Sequence, residues 1–330
     1  MGHGLIEVNG QIEAMFAGER PWHGLGVQVT ERQTPMEALR LANLDWKVEK
    51  KTLQYLHDAG GVGLVDDKVA TVRADTGAYL GTVGLQYTPL QNREQAEFIE
   101  VLAGEGAVVD CCGALFGGRK TFWTVKLDDV VRVGSNDTIE KNLIVANAHD
   151  GSMGFRAFWS PIRVVCNNTL NASLKGAKDG INVRHTSNIK DRIKQAQTIL
   201  TSAREYYNKA EVEFNRMAER EVTKDEASAF LEAVFGIDDD EKRESTKWAN
   251  TKEQLRASCR TEMKSMESQT PTAWLMYNTV TRYTSHDMTR RNTTRLNDPN
   301  ERRFESVLFG RGKRIQQSAY QEAMKLVTMN

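Results

Sequence analysis

The loop at residues 149–152 is one of two places where the sequence offers groups that could react. His149, Asp150 and Ser152 put an imidazole, a carboxylate and a hydroxyl close together, and a nucleophilic triad combines these groups. Neighbours along a chain rarely adopt triad geometry, and Asp-Gly is also an ordinary hairpin turn. Cys166 is the second place, because a thiol at a helix N-terminus can have a lowered pKa; the alternative is a small buried residue. We predict no catalytic residue, and an enzyme that joins His149, Asp150 and Cys166 in one pocket is the third-ranked hypothesis.

Motifs for metals and nucleotides are missing from the sequence. The cysteines form no CxxC pair, the histidines stand singly, and neither HExxH nor a Gly-rich phosphate loop occurs. Zinc sites and nucleotide sites depend on such spacings. We therefore predict no metal and no cofactor. The turn at residues 22–26 could present Trp22 and His23 to a ligand, or it could be a tight turn that Trp22 anchors to the core.

Charge is distributed unevenly along the chain. Lys and Arg number 44, as do Asp and Glu, so the formal net charge is zero. Residues 156–194 nevertheless contain eight basic and two acidic residues, and residues 282–314 contain nine basic and four acidic ones. A local concentration of positive charge is enough to attract a phosphate backbone. These two basic stretches are the strongest functional signal in the sequence.

The first basic stretch combines charge with aromatic rings. Alternation along its predicted strand places Arg156, Phe158 and Ser160 on one face, and Ala157 and Trp159 on the other. Proteins that bind single strands use cations for the phosphates and aromatic rings for base stacking. This pattern therefore favours a single-stranded nucleic acid as the partner.

The second basic stretch is rich in arginine, whose planar guanidinium suits phosphate. The alternative is a solvated helical face with internal salt bridges, since Glu301 and Glu305 are close enough in sequence to neutralise Arg302. The predicted nucleic-acid-binding residues of both stretches are Arg156, Phe158, Arg163, Arg184, His185, Lys190, Arg192, Lys194, Arg290, Arg291, Arg295, Arg302, Arg303, Arg311, Lys313 and Arg314.

Hydrophobic alternation and turn residues predict an α+β fold, with an antiparallel β-sheet in the N-terminal half and a mainly helical C-terminal half. Residues 46–87 are expected to form two or three strands, with hairpins at Asp66-Asp67 and at Asp75-Thr76-Gly77. The alternation in residues 121–127 suggests a sheet with one face in water. Further predicted strands cover residues 107–116, 121–127, 142–148 and 155–166.

Capping residues indicate where several helices begin. Thr34 precedes Pro35, a favoured pair of N-cap and first helical residue. Thr223 and Glu226 have the spacing of a capping box, and Gly236 follows that helix. An acidic loop is expected at residues 238–241. The predicted helices cover residues 34–42, 92–102, 190–217, 223–235, 245–266, 272–285, 299–309 and 313–328.

The domain organisation expected from this pattern is a β-rich α+β core at residues 1–188 and a helical region at residues 189–330 packed on it as one continuous structural unit. No run approaches the eighteen apolar residues of a transmembrane helix, and the first residues do not resemble a secretory signal. Adjacent cysteines suit a reducing compartment. We therefore expect a cytoplasmic protein without a membrane partner.

Several sequence blocks resemble phage- and plasmid-related proteins grouped under a domain of unknown function. They occur in order over nearly the whole chain, at residues 21–26, 148–152, 163–170, 184–186, 273–274, 280–283 and 303–310. The resemblance implies a mobile genetic element in a bacterial cytoplasm, and it carries no catalytic residue. The layout of antiparallel sheet followed by long helices is similar to phage single-strand annealing proteins, which need no ATP, form rings or filaments and hold single strands in a basic groove.

Three functions are therefore weighed. The leading one is a homo-oligomer, as a ring or filament, that binds single-stranded DNA and anneals complementary strands in recombination or replication. The second is a non-enzymatic factor of a mobile element that binds a host or phage protein through its acidic segments, in host takeover or anti-defence. The enzyme described above is the third.

Overall fold

Two compact units make up the chain, which we describe from a computed structural model. Unit 1 takes Met1–Asp128, Asn142–Trp159 and Gly180–Thr201, and unit 2 takes Asp129–Lys141, Ser160–Asp179 and Ser202–Asn330. Sheets in the N-terminal half and helices in the C-terminal region confirm the predicted α+β class. The structure describes residues 7–8, 11–17, 27–58, 60–103, 108–135, 137–163, 168–169, 180–186, 188–189, 191, 200–267, 270–288 and 299–328.

The strands are short near the N-terminus and long in the middle of the chain. Their bounds are β1 (Glu7–Val8), β2 (Gln11–Ile12), β3 (Ala14–Ala17), β4 (Val27–Val29), β5 (Val48–Leu56), β6 (Val62–Arg73), β7 (Tyr79–Gly84), β8 (Val108–Leu115), β9 (Lys120–Val133), β10 (Asp137–Ala148), β11 (Phe155–Arg163), β12 (Asn168–Thr169) and β13 (Gly180–Val183).

The helices fall mainly after residue 200. Their bounds are α1 (Pro35–Leu41), α2 (Asn92–Ala103), α3 (Leu200–Glu219), α4 (Lys224–Phe235), α5 (Asp240–Glu244), α6 (Thr246–Ser265), α7 (Ala273–Arg282), α8 (Pro299–Phe309) and α9 (Arg311–Thr328), with a π-helical turn at Tyr283–Asp287 directly after α7.

An eight-stranded sheet has the order β12-β11-β10-β9-β8-β3-β4, and β13 pairs with β11 beside that path. The pairings of β3 with β8, β8 with β9, and β11 with both β12 and β13 are antiparallel. Strand β4 lies parallel to β3. Neither β3 nor β4 was predicted, since each has at most four residues and β8, the antiparallel partner of β3, is distant in sequence.

A separate three-stranded antiparallel sheet has the order β5-β6-β7. The predicted turn at Asp75-Thr76-Gly77 is confirmed between β6 and β7. The predicted turn at Asp66-Asp67 is wrong, because both residues lie inside β6 and the chain turns at residues 57–61 instead. The two aspartates mark an irregularity in the ladder, where pairing passes from Thr52↔Val69 to Gln54↔Leu64.

The expected wet face of residues 121–127 is also wrong. Thr121 and Trp123 on one face, and Phe122 and Thr124 on the other, are all at most 7% exposed. The hydroxyl of Thr121 and the indole N–H of Trp123 both donate to the side-chain oxygen of Gln95 in α2. A threonine can thus be buried once its hydroxyl is paired, which the polar/apolar pattern alone does not reveal.

Helix caps are the part of the prediction that the structure confirms most closely. Thr34 and Glu37 bond reciprocally at the start of α1, as a capping box does. Thr223 and Glu226 form the same motif at the start of α4, and Gly236 ends that helix in the left-handed conformation with φ 67°. The expected acidic loop at 238–241 instead leads into the short helix α5.

The capping box of α4 permits a simple stability test. Thr223→Ala removes the acceptor for the backbone N–H of Glu226, so we expect the free energy of unfolding to fall by about 1 kcal/mol. Thr261→Ala is the matched control, because that exposed hydroxyl only back-bonds to the carbonyl of Ala257 within α6. Equal urea midpoints for the two variants would contradict the capping role.

Helix α7 is the centre of the helical packing in unit 2. Every residue from Ala273 to Thr281 is buried, and α7 packs against α6 and α9. The ring of Trp274 lies 4.9 Å from that of Phe214, and its N–H donates to Asp137 at 2.9 Å. The α-helix predicted at residues 272–285 ends at Arg282 in the structure, and the chain continues from there as a π-helical turn.

Candidate nucleic-acid interface

The described residues of the first basic stretch lie on β11 and just after β13. Arg156 is half-buried and pairs in the ladder with Asn182, and Arg184 is exposed at the end of β13. Arg163 is the last residue of β11. Lys190, Arg192 and Lys194 lie outside the described residues.

The two rings predicted to contact bases are buried. Phe158 is 7% exposed and lies opposite Gly180 in the β11–β13 ladder, where a Cβ on Gly180 would approach the Cβ of Phe158 to 2.5 Å. His185 is 8% exposed and stacks on Tyr87 with ring centroids 4.6 Å apart. Neither ring offers a free face for base stacking in this conformation.

His185 is also uncharged at neutral pH. Burial lowers the pKa of its imidazole, and a hydrogen bond between Nδ1 and the carbonyl of Thr88, at 3.2 Å, opposes that shift only in part. Because a carbonyl oxygen can only accept a hydrogen bond, Nδ1 carries the proton that it donates to Thr88. His185 therefore holds β13 to the segment after β7 and adds no positive charge to a phosphate site.

The described residues of the second basic stretch lie on α8 and α9 in unit 2. Arg302, Arg303 and Lys313 are partly exposed, and Arg311 and Arg314 are exposed in the first turn of α9. That turn contains no acidic residue. Arg290, Arg291 and Arg295 lie outside the described residues.

Arg311 and Arg314 are neighbours on the surface of α9. Their spacing of three residues puts the two side chains on one helical face, and the positive end of the helix dipole lies at the same turn. Glu301, which was considered as a neutralising partner, is only 2% exposed. Glu305, the other residue considered as a partner of Arg302, is partly exposed.

The loop at residues 149–152 has a structural role. The backbone N–H of Ser152 donates to the carboxylate of Asp150 at 2.9 Å, and the carbonyl of His149 accepts from the hydroxyl of Thr71. The loop also packs closely on β7, since a Cβ on Gly81 would lie 2.6 Å from the Cα of Asp150. Asp150 thus accepts a hydrogen bond within the turn, and the ring nitrogens of His149 contact Asn92 and Asn147 instead.

The imidazole of His149 is buried in a chain of amide hydrogen bonds. Nε2 lies 2.8 Å from Oδ1 of Asn92, whose amide nitrogen donates to the carbonyl of Leu44. Nε2 must therefore be the protonated nitrogen, and Nδ1 can accept from Asn147 at 3.4 Å. Gln95 donates to the same Asn92 oxygen at 3.2 Å. This network links α2 to strand β10.

Burial lowers the pKa of His149 to about 3, and the positive charge of Arg73 acts in the same direction. A base with so low a pKa is a poor proton acceptor at neutral pH. His149 is also fully buried, so a substrate cannot reach it in this conformation. The loop therefore lacks the accessible imidazole with a neighbouring carboxylate that the enzyme hypothesis requires. Cys166 and the turn at residues 22–26 lie outside the described residues.

Arg73 is a buried charge that sequence reasoning missed. It is 2% exposed and donates to Glu13 at 2.8 Å and to Asp75 at 2.7 Å. Its guanidinium carbon lies 4.3 Å from the ring centroid of Trp46. No local signal could have identified the cluster, because Glu13 and Trp46 are far from Arg73 in sequence and meet it only in the folded unit.

The described residues contain no group of three His, Cys, Asp or Glu side chains placed to hold a metal ion. None of the described helices is both long and apolar enough to cross a membrane.

Comparison with protein-family models assigns this chain to a family, as described below. No curated protein and no solved structure was found to be similar to this chain. A family model described as a domain of unknown function, DUF932, matches residues 79–308. This match covers the last strands of unit 1 as well as most of the helices described above, and more than half of the chain. The chain therefore belongs to the DUF932 family.

Proposed function

We propose that this protein binds single-stranded DNA and promotes the annealing of complementary strands without ATP. It would act in recombination or replication of a phage or plasmid, in the cytoplasm of a bacterial host and as a ring or filament of identical subunits. The observation that carries the proposal is the exposed pair Arg311 and Arg314 in an α9 first turn without acidic residues. Arg184, exposed beside β13, is a second cation available to a phosphate.

The burial of Phe158 and His185 changes the expected mode of binding. Base stacking supplies sequence-tolerant affinity when aromatic rings are exposed. Here the contacts come from arginine and lysine alone, so phosphate charge would dominate the affinity. We therefore expect strong salt dependence and little preference between oligonucleotides of different base composition.

The test is a salt titration of DNA affinity, measured by fluorescence anisotropy with a labelled single-stranded oligonucleotide. Log K should fall linearly with log salt, and the double variant R311A/R314A should reduce the steepness of that line by about 1.4, which is about 0.7 for each lost phosphate contact. Binding by the wild type should also weaken clearly between about 50 and 200 mM salt.

The matched control is R256A/R260A, which removes two arginines that are 67% and 68% exposed on α6, outside both basic stretches. It changes the net charge by the same amount as R311A/R314A. Equal losses for the two double variants would show that only total charge matters and would contradict a site on α9. Wild-type affinity that ignores salt would contradict phosphate binding altogether.

Annealing is a separate step of the proposal. Two complementary strands, one with a fluorophore and one with a quencher, should pair faster with the wild-type protein than alone, and added ATP should not change the rate. R311A/R314A should lower this rate more than R256A/R260A. Binding without acceleration of pairing would limit the function to strand protection.

The second candidate, a factor that recognises a protein through acidic segments, has weaker support. In the segment at residues 238–244, Lys242 pairs with Asp238 and Asp239, and Arg243 pairs with Asp240. Because these three aspartates already contact basic groups on the same segment, they are less available to a basic partner. A partner that survives nuclease treatment in a pull-down, with no DNA shift at low salt, would favour this candidate.

A further inference from the structure

The hairpin of β5 and β6 carries a feature that DNA binding does not use. Beyond the irregularity after Thr52, the two strands continue as a ribbon from Leu53 to Leu64, which we call the arm. Its turn is closed by the hydrogen bonds from the N–H of His57 to the carbonyl of Gly61 and from the N–H of Gly60 to the carbonyl of His57. Strand β7 pairs with β6 only from Lys68 onward, so the arm has two strands where the base of the sheet has three.

The two faces of the arm carry different side chains. On one face the ring of Tyr55 lies over Gly63, since a Cβ added to that glycine would come within 2.5 Å of the ring. On the other face Leu56 pairs with Val62, and Gln54 pairs with Leu64. Directly paired residues share a face in an antiparallel ladder. The second face therefore presents three aliphatic side chains next to one amide, and we call it the aliphatic face.

The aliphatic face is strongly exposed. Leu56 is 81% exposed, Val62 60% and Leu64 56%. A two-stranded ribbon by itself is at most marginally stable in water and needs a packing surface. Contiguous exposed apolar side chains typically mark a site of protein contact. Packing against another surface would remove the apolar area from water and also stabilise the ribbon.

The charge of the arm argues against nucleic acid as the occupant. From Leu53 to Leu64, Asp58 is the one acidic residue, and neither lysine nor arginine occurs. The next charged residues along β6 are Asp66 and Asp67. Lys68 pairs with Asp67 at 3.9 Å, and the arm itself offers no lysine or arginine to a phosphate backbone, so the aliphatic face suits a protein surface of similar apolar character.

We propose that the aliphatic face binds the same face of a second copy of this chain, around a two-fold axis. A two-fold contact brings each patch against itself, so the patch must be self-complementary. The aliphatic face meets this condition because its residues Gln54, Leu56, Val62 and Leu64 carry no charge and cannot repel their own copies.

The remaining exposed surface favours this pairing over a contact of the arm with another site on the chain. Outside the arm, the described part of the chain contains no comparable group of large exposed apolar residues. Val27, Leu41 and Val212 lie on three different elements, and Tyr79 and Leu85 lie at opposite ends of β7. The arm of a second copy therefore offers the best apolar match among the described surfaces.

The size of the patch sets the expected strength. Stable interfaces bury about 800 Å² on each partner. The side chains of Leu56, Val62 and Leu64 together provide less area than that. The open backbone edges of the arm add hydrogen-bonding groups at the same place. We therefore expect a dimer that dissociates on dilution, and the inference does not depend on DNA binding.

The test compares particle mass over a range of concentrations, by sedimentation equilibrium of the full chain without DNA. The double variant L56E/L64E should weaken self-association at least about tenfold, as loss of central interface residues does. At concentrations where the wild type is associated, the variant should have half the mass of the wild-type particle. Its thermal unfolding should remain cooperative, because both side chains are exposed in the subunit.

The matched control is L41E/V212E, which adds the same two charges at positions that are 45% and 52% exposed outside the arm. It should associate as the wild type does. Oxidation of L56C should then yield a covalent dimer, whereas V212C should not. A monomeric wild type, equal weakening by both double variants, or no cross-link through L56C would overturn the proposal.

Failure of this inference can be told apart from failure of the proposed function. The DNA titrations use R311A/R314A, and the mass measurements use L56E/L64E without DNA. An associated wild type that does not bind DNA would overturn only the proposed function. DNA binding by a protein that is monomeric without DNA would overturn only the arm contact.

Discussion

Replacing Arg73 with alanine is expected to lower the free energy of unfolding by about 3–5 kcal/mol, the largest effect of any single change proposed for this protein. The guanidinium is 2% exposed and donates to the carboxylates of Glu13 and Asp75. Alanine would leave the carboxylate of Glu13, itself 4% exposed, without its cation. The stacked contact with Trp46 would be lost as well.

The reason for so large a loss is the unpaired charge that remains. A buried ion pair contributes little net stability compared with an apolar pair, whereas removal of one partner leaves an uncompensated charge. The double variant E13M/R73M removes both charges and fills their space, so we expect it to be more stable than R73A. Urea unfolding at neutral pH would measure both changes. A loss below about 1 kcal/mol for R73A would contradict the account of a buried charge pair.

Acid is expected to destabilise the protein from about pH 6.5 downward, before most carboxylates titrate. The ordinary pKa of histidine is 6.5, and burial lowers that of His149 to about 3 in the folded state. Between these values the unfolded chain binds a proton that the folded chain does not bind. Stability is therefore fully present above the unfolded pKa and falls as the pH decreases toward the folded pKa.

The expected slope is about 1.4 kcal/mol per pH unit for one such histidine. Burial lowers the pKa of His185 too. Protonation of this histidine in the unfolded chain therefore also reduces the stability of the protein as the pH falls. The measurement is urea unfolding between pH 7 and pH 5, with H149Q as the comparison because glutamine cannot titrate. H149Q should be less stable than the wild type at pH 7, yet its stability should vary less with pH. Equal pH slopes would contradict a neutral, buried His149.

Helix ends show how much of this fold could be predicted. The starts of α1 and α4 depend on residues within one turn, such as the reciprocal bonds of Thr34 with Glu37 and of Thr223 with Glu226. Because capping acts over three or four residues, its signal is complete in the local sequence. The helix at Pro299–Phe309 has the predicted bounds for the same kind of reason.

Strand pairing could not be predicted from the local sequence as the helix caps could. The aspartates at 66 and 67 have the composition of a turn, but they lie in a ladder irregularity within β6. Strands β3 and β4 pair with each other and with β8, although β8 begins about ninety residues after β3 in the sequence. A short strand is stabilised by the neighbours that it meets after folding, so its own residues carry little signal.

The candidate nucleic-acid interface could likewise be predicted only in part from the sequence. The two basic stretches and the runs of arginine are properties of the sequence, and the expectation of a phosphate-bearing partner rests on them. The alternation in β11 also indicated which residues share a face. The pattern could not indicate which of those faces other elements cover, and the structure shows Phe158 only 7% exposed.

The sequence by itself thus determined the fold class, the helix caps and the places where charge accumulates, because all three depend on composition or on contacts within a few residues. Only the tertiary structure decided that His149 is a buried, neutral member of an amide network, and that Arg73 is enclosed by Glu13, Asp75 and Trp46. Burial and long-range pairing also decided that Leu56, Val62 and Leu64 are exposed together on the arm. Burial depends on every element that surrounds a residue, and most of those elements are far away along the chain.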